Sequence, residues 1–160
     1  MKHILRTFLA ALVVVLVAPA ALAEEAKAGA AQAKPDARTA TLVTITPDEL
    51  KWIPNPANAD VMMAVVWGDP AKGPHGAFNK FKPGFNAGLH THSADLRLAV
   101  VSGTIITSSE GGPEKKLPPG SYEYQPHMVK HVTKCDTGGP CVIFVVANGK
   151  FDFVPAGEKK

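Results

Sequence analysis

Three histidines carry the chemistry open to this sequence: His90 and His92, two positions apart, and His131, 39 residues beyond His92. Residues i and i+2 of a strand share a face, so His90 and His92 can aim both imidazoles at one point. A neighbouring strand could bring His131 to complete a three-nitrogen face. Neutral imidazole suits Zn, Cu, Fe or Ni better than Ca or Mg. A metal held this way keeps open positions, at which a substrate oxygen is polarised or a small molecule activated. The plainer alternative is a polar strand face whose histidines are satisfied by carbonyls or water. His75 and His127 fall in or beside turn-rich stretches and are expected at the surface.

The elements that must position these residues are strands. Beyond residue 60 the chain is a series of short apolar or alternating runs, at 61–67, 76–82, 86–92, 96–101, 104–108, 121–125, 129–134, 142–147 and 151–154. Each ends at Gly, Pro, Asn or Asp, as in Gly68-Asp69-Pro70, Gly111-Gly112-Pro113 and Asn148-Gly149. That pattern predicts one all-β domain, a sandwich or small barrel, with no long helix. A short helical turn is expected at 46–50, capped by Thr46 with Pro47 at its first position, and Trp52 beyond it is read as a packing residue.

Ahead of this domain, residues 1–23 place Lys2 and Arg6 before an apolar run that ends in Ala21-Leu22-Ala23. This is the three-part layout of a signal peptide, and the run is too short and too broken by Pro19 to be a lasting membrane span. The protein is therefore expected to be secreted across the inner membrane, periplasmic or extracellular. Residues 24–41 are Ala-rich and charged and are expected to form a flexible leader, leaving 42–160 as the folded domain. Cleavage lowers the net charge from +3 to +1 by removing Lys2 and Arg6. With no clustered basic excess there is no case for nucleic acid as a partner. In an oxidising compartment Cys135 and Cys141 are expected to pair across the turn-rich residues 136–140 and close the base of a hairpin, the alternative being a thiol at Cys135 acting in the site.

At this point the residues resemble a family. Gly84, five residues, His90-Thr91-His92 and then Gly103 resemble the first motif of the cupin superfamily. Gly120, five residues, Pro126 and His131 five positions later resemble the second. The likeness implies a single jelly-roll β-barrel of the RmlC type, nearest to the ChrR-like and related small cupins. It implies one divalent transition metal (Zn, Fe, Ni, Cu or Mn) on His90, His92 and His131. It also implies a small-molecule ligand or substrate and a homodimer. Two departures stand out. Cupins usually place a metal-binding Glu seven positions before the second glycine, where this chain has Leu96; the adjacent Asp95 is the candidate fourth ligand, although strict alternation from His92 turns it to the other face. Met128 stands where the second motif has glycine, and Cys135 where it often has Asn.

Candidate pocket residues are Phe78, Phe81, Phe85, Tyr122, Tyr124 and Met128, with the phenylalanines read as ordinary core. Glu123 alternates with the two tyrosines and becomes an acid–base candidate if they face outward; an exposed strand carboxylate is the simpler expectation. Three functions follow: a metal-dependent oxygenase, isomerase or lyase, a non-catalytic binding or sensing module, and a structural β-domain without metal. No Ser-His-Asp order, phosphate loop or paired carboxylates point to a hydrolase of another class.

Overall fold

The computed structural model of the chain describes residues 41–157, so the expected signal peptide 1–23 and nearly all of the expected leader 24–41 lie outside the described residues. The compact unit Leu42–Lys160 opens with a 3-10 turn at Pro47–Glu49, where the Glu49 carboxylate accepts from the Thr46 amide at 2.7 Å. The strands are β1 (Ile53–Asn55), β2 (Asn58–Gly68), β3 (His75–Phe81), β4 (Asn86–Thr91), β5 (Leu96–Ser102) and β6 (Ile105–Ser109). They continue with β7 (Lys115–Leu117), β8 (Tyr122–Gln125), β9 (His131–Cys135), β10 (Cys141–Ala147) and β11 (Val154–Pro155). No helix among the described residues is long and apolar enough to cross a membrane.

All pairings are antiparallel. One sheet runs β1-β2-β3-β10-β5-β8 and the other β11-β4-β9-β6-β7. After β3 every connection except β6 to β7 passes from one sheet to the other, which wraps the chain into a jelly roll. Alternation decides what faces inward. In β10 the odd residues Cys141, Ile143, Val145 and Ala147 are buried, and in β5 Leu96, Leu98 and Val100 face them while Arg97, Ala99 and Val101 face out. These side chains, with Val61, Phe81, Ile105 and Leu117, form the core.

The structure differs from the sequence expectations in four places. Lys115 and Lys116, outside the strand runs expected, belong to β7, an edge strand on which exposed lysines discourage further pairing. Of the run 151–154 only Val154 is in a strand, and Phe151 to Phe153 form a loop against the site. His75 is buried, 2 % exposed, with its Nδ1 on the Gly73 carbonyl at 3.0 Å. Cys135 and Cys141 do form a disulfide, Cα to Cα 5.7 Å, but β9 and β10 lie in different sheets. The bridge is thus a staple between the two layers and not the base of a hairpin. Closing so short a loop contributes about 2 kcal/mol by the chain-entropy relation.

Candidate metal centre

His90 and His131 are directly opposite each other in the pairing of β4 with β9, and His92 follows one residue beyond the end of β4. All three are buried, at 3 %, 5 % and 5 % exposure. Ring centroids are 4.3 Å apart for His90 and His131, 4.9 Å for His90 and His92, and 5.3 Å for His92 and His131.

What the rings bond to fixes their chemistry. The Nδ1 of His90 meets the Gly88 carbonyl at 2.9 Å, that of His131 the Val129 carbonyl at 2.9 Å, and that of His92 the Asp152 carbonyl at 2.6 Å. A carbonyl only accepts, so each Nδ1 carries the proton and each Nε2 presents a lone pair. This is the outer support expected of metal-binding imidazoles. The His131 Nε2 is buried with no protein partner, which is costly unless something binds it. One potential ligand atom from each of the three rings lies within 4.8 Å of the others, so the group could hold a metal ion. A three-imidazole set fits a late first-row transition metal.

Burial, helped by the neighbouring His131 and His92, pushes the His90 imidazole down to about 4, and burial likewise lowers His92. Both therefore stay neutral and available at ordinary pH. The same shift makes the metal-free protein acid-sensitive. Between about 6.5, where an unfolded histidine titrates, and about 4 the unfolded chain binds more protons than the folded one, so stability is lost as the pH falls through that window. Melting of chelator-treated protein from pH 7 to 4 will show this decline, and His90→Gln will flatten it.

Asp95 is not brought to this group. Its carboxylate accepts from the His127 amide at 2.9 Å and His127 Nδ1 at 3.1 Å, and its other oxygen from Asn148 Nδ2 at 3.1 Å. The two bonds from His127 hold its carboxyl below the usual range. Leu96 is 3 % exposed and faces the interior, where a cupin glutamate would stand. Met128 is exposed, holds a φ of 60° and donates its amide to the His92 carbonyl at 2.8 Å, so the second histidine is anchored from both sides. His127 is exposed, as expected.

Several site residues were not foreseen. Phe153 stacks on His90 at 4.5 Å and 24°, and Phe151 lies 5.4 Å from His92. Gln125, 5 % exposed and opposite Leu96 in the β5–β8 register, brings a buried amide to the place where Leu96 offers only methyl groups. Two spaces flank the histidines. An inner cavity of about 70 Å³ is bounded by His90, His92, Gln125, Phe85 and Asn79, whose Oδ1 is buried without a partner. A cleft of about 260 Å³ between β6 and β8 is bounded by His131, Glu123 and Thr107. Tyr122 and Tyr124 face out, at 62 % and 45 % exposure, which turns Glu123 inward and overturns its reading as an exposed carboxylate.

Comparison with known proteins agrees with this fold. The chain matches the family DUF4437, a domain of unknown function, over residues 17–154. No match was found among curated proteins. Among solved structures, the polyketide cyclase RemF from Streptomyces resistomycificus is similar at a TM-score of 0.62 and 15 % identity, over 75 % of this chain and 89 % of that one. An RmlC-like cupin from Ralstonia eutropha JMP134 aligns at 0.59 and 18 %, over 74 % and 76 %. The DMSP lyase DddQ from Ruegeria pomeroyi DSS-3 aligns at 0.55 and 18 %, over 69 % and 64 %. At these identities the likeness establishes the cupin fold.

Proposed function

The chain belongs to the DUF4437 family, and from that premise we propose that it is an exported cupin holding one divalent transition metal on His90, His92 and His131 and acting through it on a small organic molecule. The observation that carries this reading is the set of three buried imidazoles with every Nδ1 tied to a carbonyl and one potential ligand atom of each ring within 4.8 Å of the others. Such a metal, when bound, would act as a Lewis acid on a substrate oxygen. The inner cavity and the outer cleft supply room on either side of it. Enzymes acting on small molecules, the polyketide cyclase and the DMSP lyase, use the same fold. Oxygenase, isomerase and lyase chemistry are all compatible with open positions on a three-histidine metal.

A second reading, a binding or sensing module without turnover, is favoured by Leu96 in place of the cupin glutamate and by the engagement of Asp95 with His127 and Asn148. Turnover separates the two. Metal-loaded protein is given phenols, keto acids and sugars in turn, and dioxygen uptake and product are followed. Conversion of one class supports the enzyme; no conversion of any leaves the binding module. Export is tested separately, by finding the mature protein outside the cytoplasm with Glu24 as its first residue.

A further inference from the structure

Among the described residues, no lysine, arginine, aspartate or glutamate borders the inner cavity. Its wall is mostly apolar, with Phe85, Leu96, Phe151 and Phe153 beside His90 and His92. The three imidazoles are neutral donors, since each gives its one proton to a carbonyl. Three carboxylates on neighbouring segments are engaged elsewhere: Asp95 by His127 and Asn148, Asp152 by the Ser93 amide at 2.8 Å, and Glu123 by the Thr107 hydroxyl at 2.8 Å. None of them belongs to the group whose ligand atoms converge. A divalent ion on His90, His92 and His131 would thus keep its full charge beside hydrocarbon, which is costly until an anion joins it. One polar side chain in the wall is unpartnered. Gln125 is 5 % exposed and opposite Leu96 in the β5–β8 register, and its carboxamide meets no hydrogen-bond partner among the described residues. Its amide atoms are not sealed off as the Asn79 Oδ1 is, so they are open to a ligand.

We propose that the inner cavity takes a small monocarboxylate with an uncharged body, its charge balancing the metal and its second oxygen accepting from the Gln125 amide. The proposal rests on the metal reading above and narrows its ligand class. The ligand has to bring the anion, because the protein places none in the converging group. A second carboxylate, a phosphate or an ammonium elsewhere in the ligand would find no counter-charge in the wall, so each is selected against. The rings of Phe85, Phe151 and Phe153 suit an apolar body. Leu96 is the residue that leaves the place free. It is 3 % exposed and lines the cavity, and it offers methyl groups where a carboxylate on the same strand position would supply the charge internally. Binding is reversible coordination, and no bond within the ligand is made or broken.

The test uses the full chain loaded with Co(II), whose visible absorption reports what occupies the ion's open positions, with acetate and acetamide as probes. The two have the same shape and differ in charge. Acetate should shift the spectrum saturably, and acetamide should need at least about 10-fold more to do so, as a neutral ligand lacks the charge-assisted contacts. Gln125→Leu should hold as much cobalt and bind acetate at least about 10-fold more weakly, the ordinary loss of a hydrogen bond to a charged group. Leu96→Glu should hold cobalt and show almost no response to acetate, since its own carboxylate takes the place. Gln125→Leu, an apolar side chain of similar size, carries the test should Leu96→Glu not fold. No spectral shift with acetate, acetamide binding as tightly as acetate, or undiminished acetate binding in Gln125→Leu or in folded, cobalt-loaded Leu96→Glu would each overturn the proposal. A chain that takes up no cobalt instead overturns the metal reading itself.

Discussion

Replacing His131 by alanine should abolish the metal binding proposed for this protein. Purified without a histidine tag, the parent chain should carry about one equivalent of transition metal, since a three-histidine set builds one mononuclear site. The His131→Ala variant should carry almost none. The reason is geometric: His90 and His92 come from one strand end, and only His131, opposite His90 in the β4–β9 pair, closes the face from a second strand. Loss of a supporting partner outside the ligand shell already costs about 10–100-fold in affinity, so loss of a ligand should exceed about 100-fold. Asp95→Asn is the control. Its oxygens are spent on His127 and Asn148, so metal content should stay at the parent level. Metal analysis after dialysis reads both outcomes, and retention of metal by His131→Ala would remove that residue from the ligand set.

A large effect on stability is expected at Gly103. This residue has a φ of +72°, and a β-carbon there would lie 2.7 Å from the Pro140 carbonyl, 2.8 Å from the Cys141 Cα and 3.0 Å from its Sγ. Neither neighbour can retreat. Cys141 is tied to Cys135 by the disulfide and begins β10, which is paired with β3 on one side and β5 on the other. Gly103→Ala therefore combines left-handed strain of about 1–2 kcal/mol with overpacking of about 1–3 kcal/mol. Gly84 is the matched control: its φ is +75°, but the nearest atom to a built β-carbon is the Thr137 Cγ2 at 3.7 Å. Gly84→Ala should cost only the strain. Urea unfolding midpoints will rank the two, and equal losses would show that crowding against Cys141 contributes nothing.

Much of the fold was legible because alternation is strong where both neighbours of a strand are core. In β5 and β10 the residues that read as inward are the buried ones. The three histidines were legible for the same reason, combined with the spacing of Gly84, Gly120 and Pro126. What was not legible depends on contacts between distant segments. No local pattern says that the carbonyl setting His92 comes from Asp152, 60 residues away. Phe151 and Phe153 read as alternating strand residues, yet they are used as rings against imidazoles. His75 read as a surface residue because Pro74 and Gly76 flank it, whereas β3 lies beside the central strand β10. Glu123 was ambiguous by parity alone. Only the outward turn of Tyr122 and Tyr124, with Arg97 over the Tyr124 ring at 4.9 Å, places it inside.

The loop carrying Asp152 also sets an order in time. A growing chain has all three imidazoles once His131 has been made, but the carbonyl that orients His92 and the ring that stacks on His90 arrive about twenty residues later. Strand β11, which pairs with β4, arrives later still. An ion met before that moment would find three imidazoles with His92 not yet oriented and His90 not yet covered. Tight capture would therefore belong to the finished polypeptide, in whatever compartment its last residues come to rest, and the ion supply of that compartment would decide which metal the proposed site keeps.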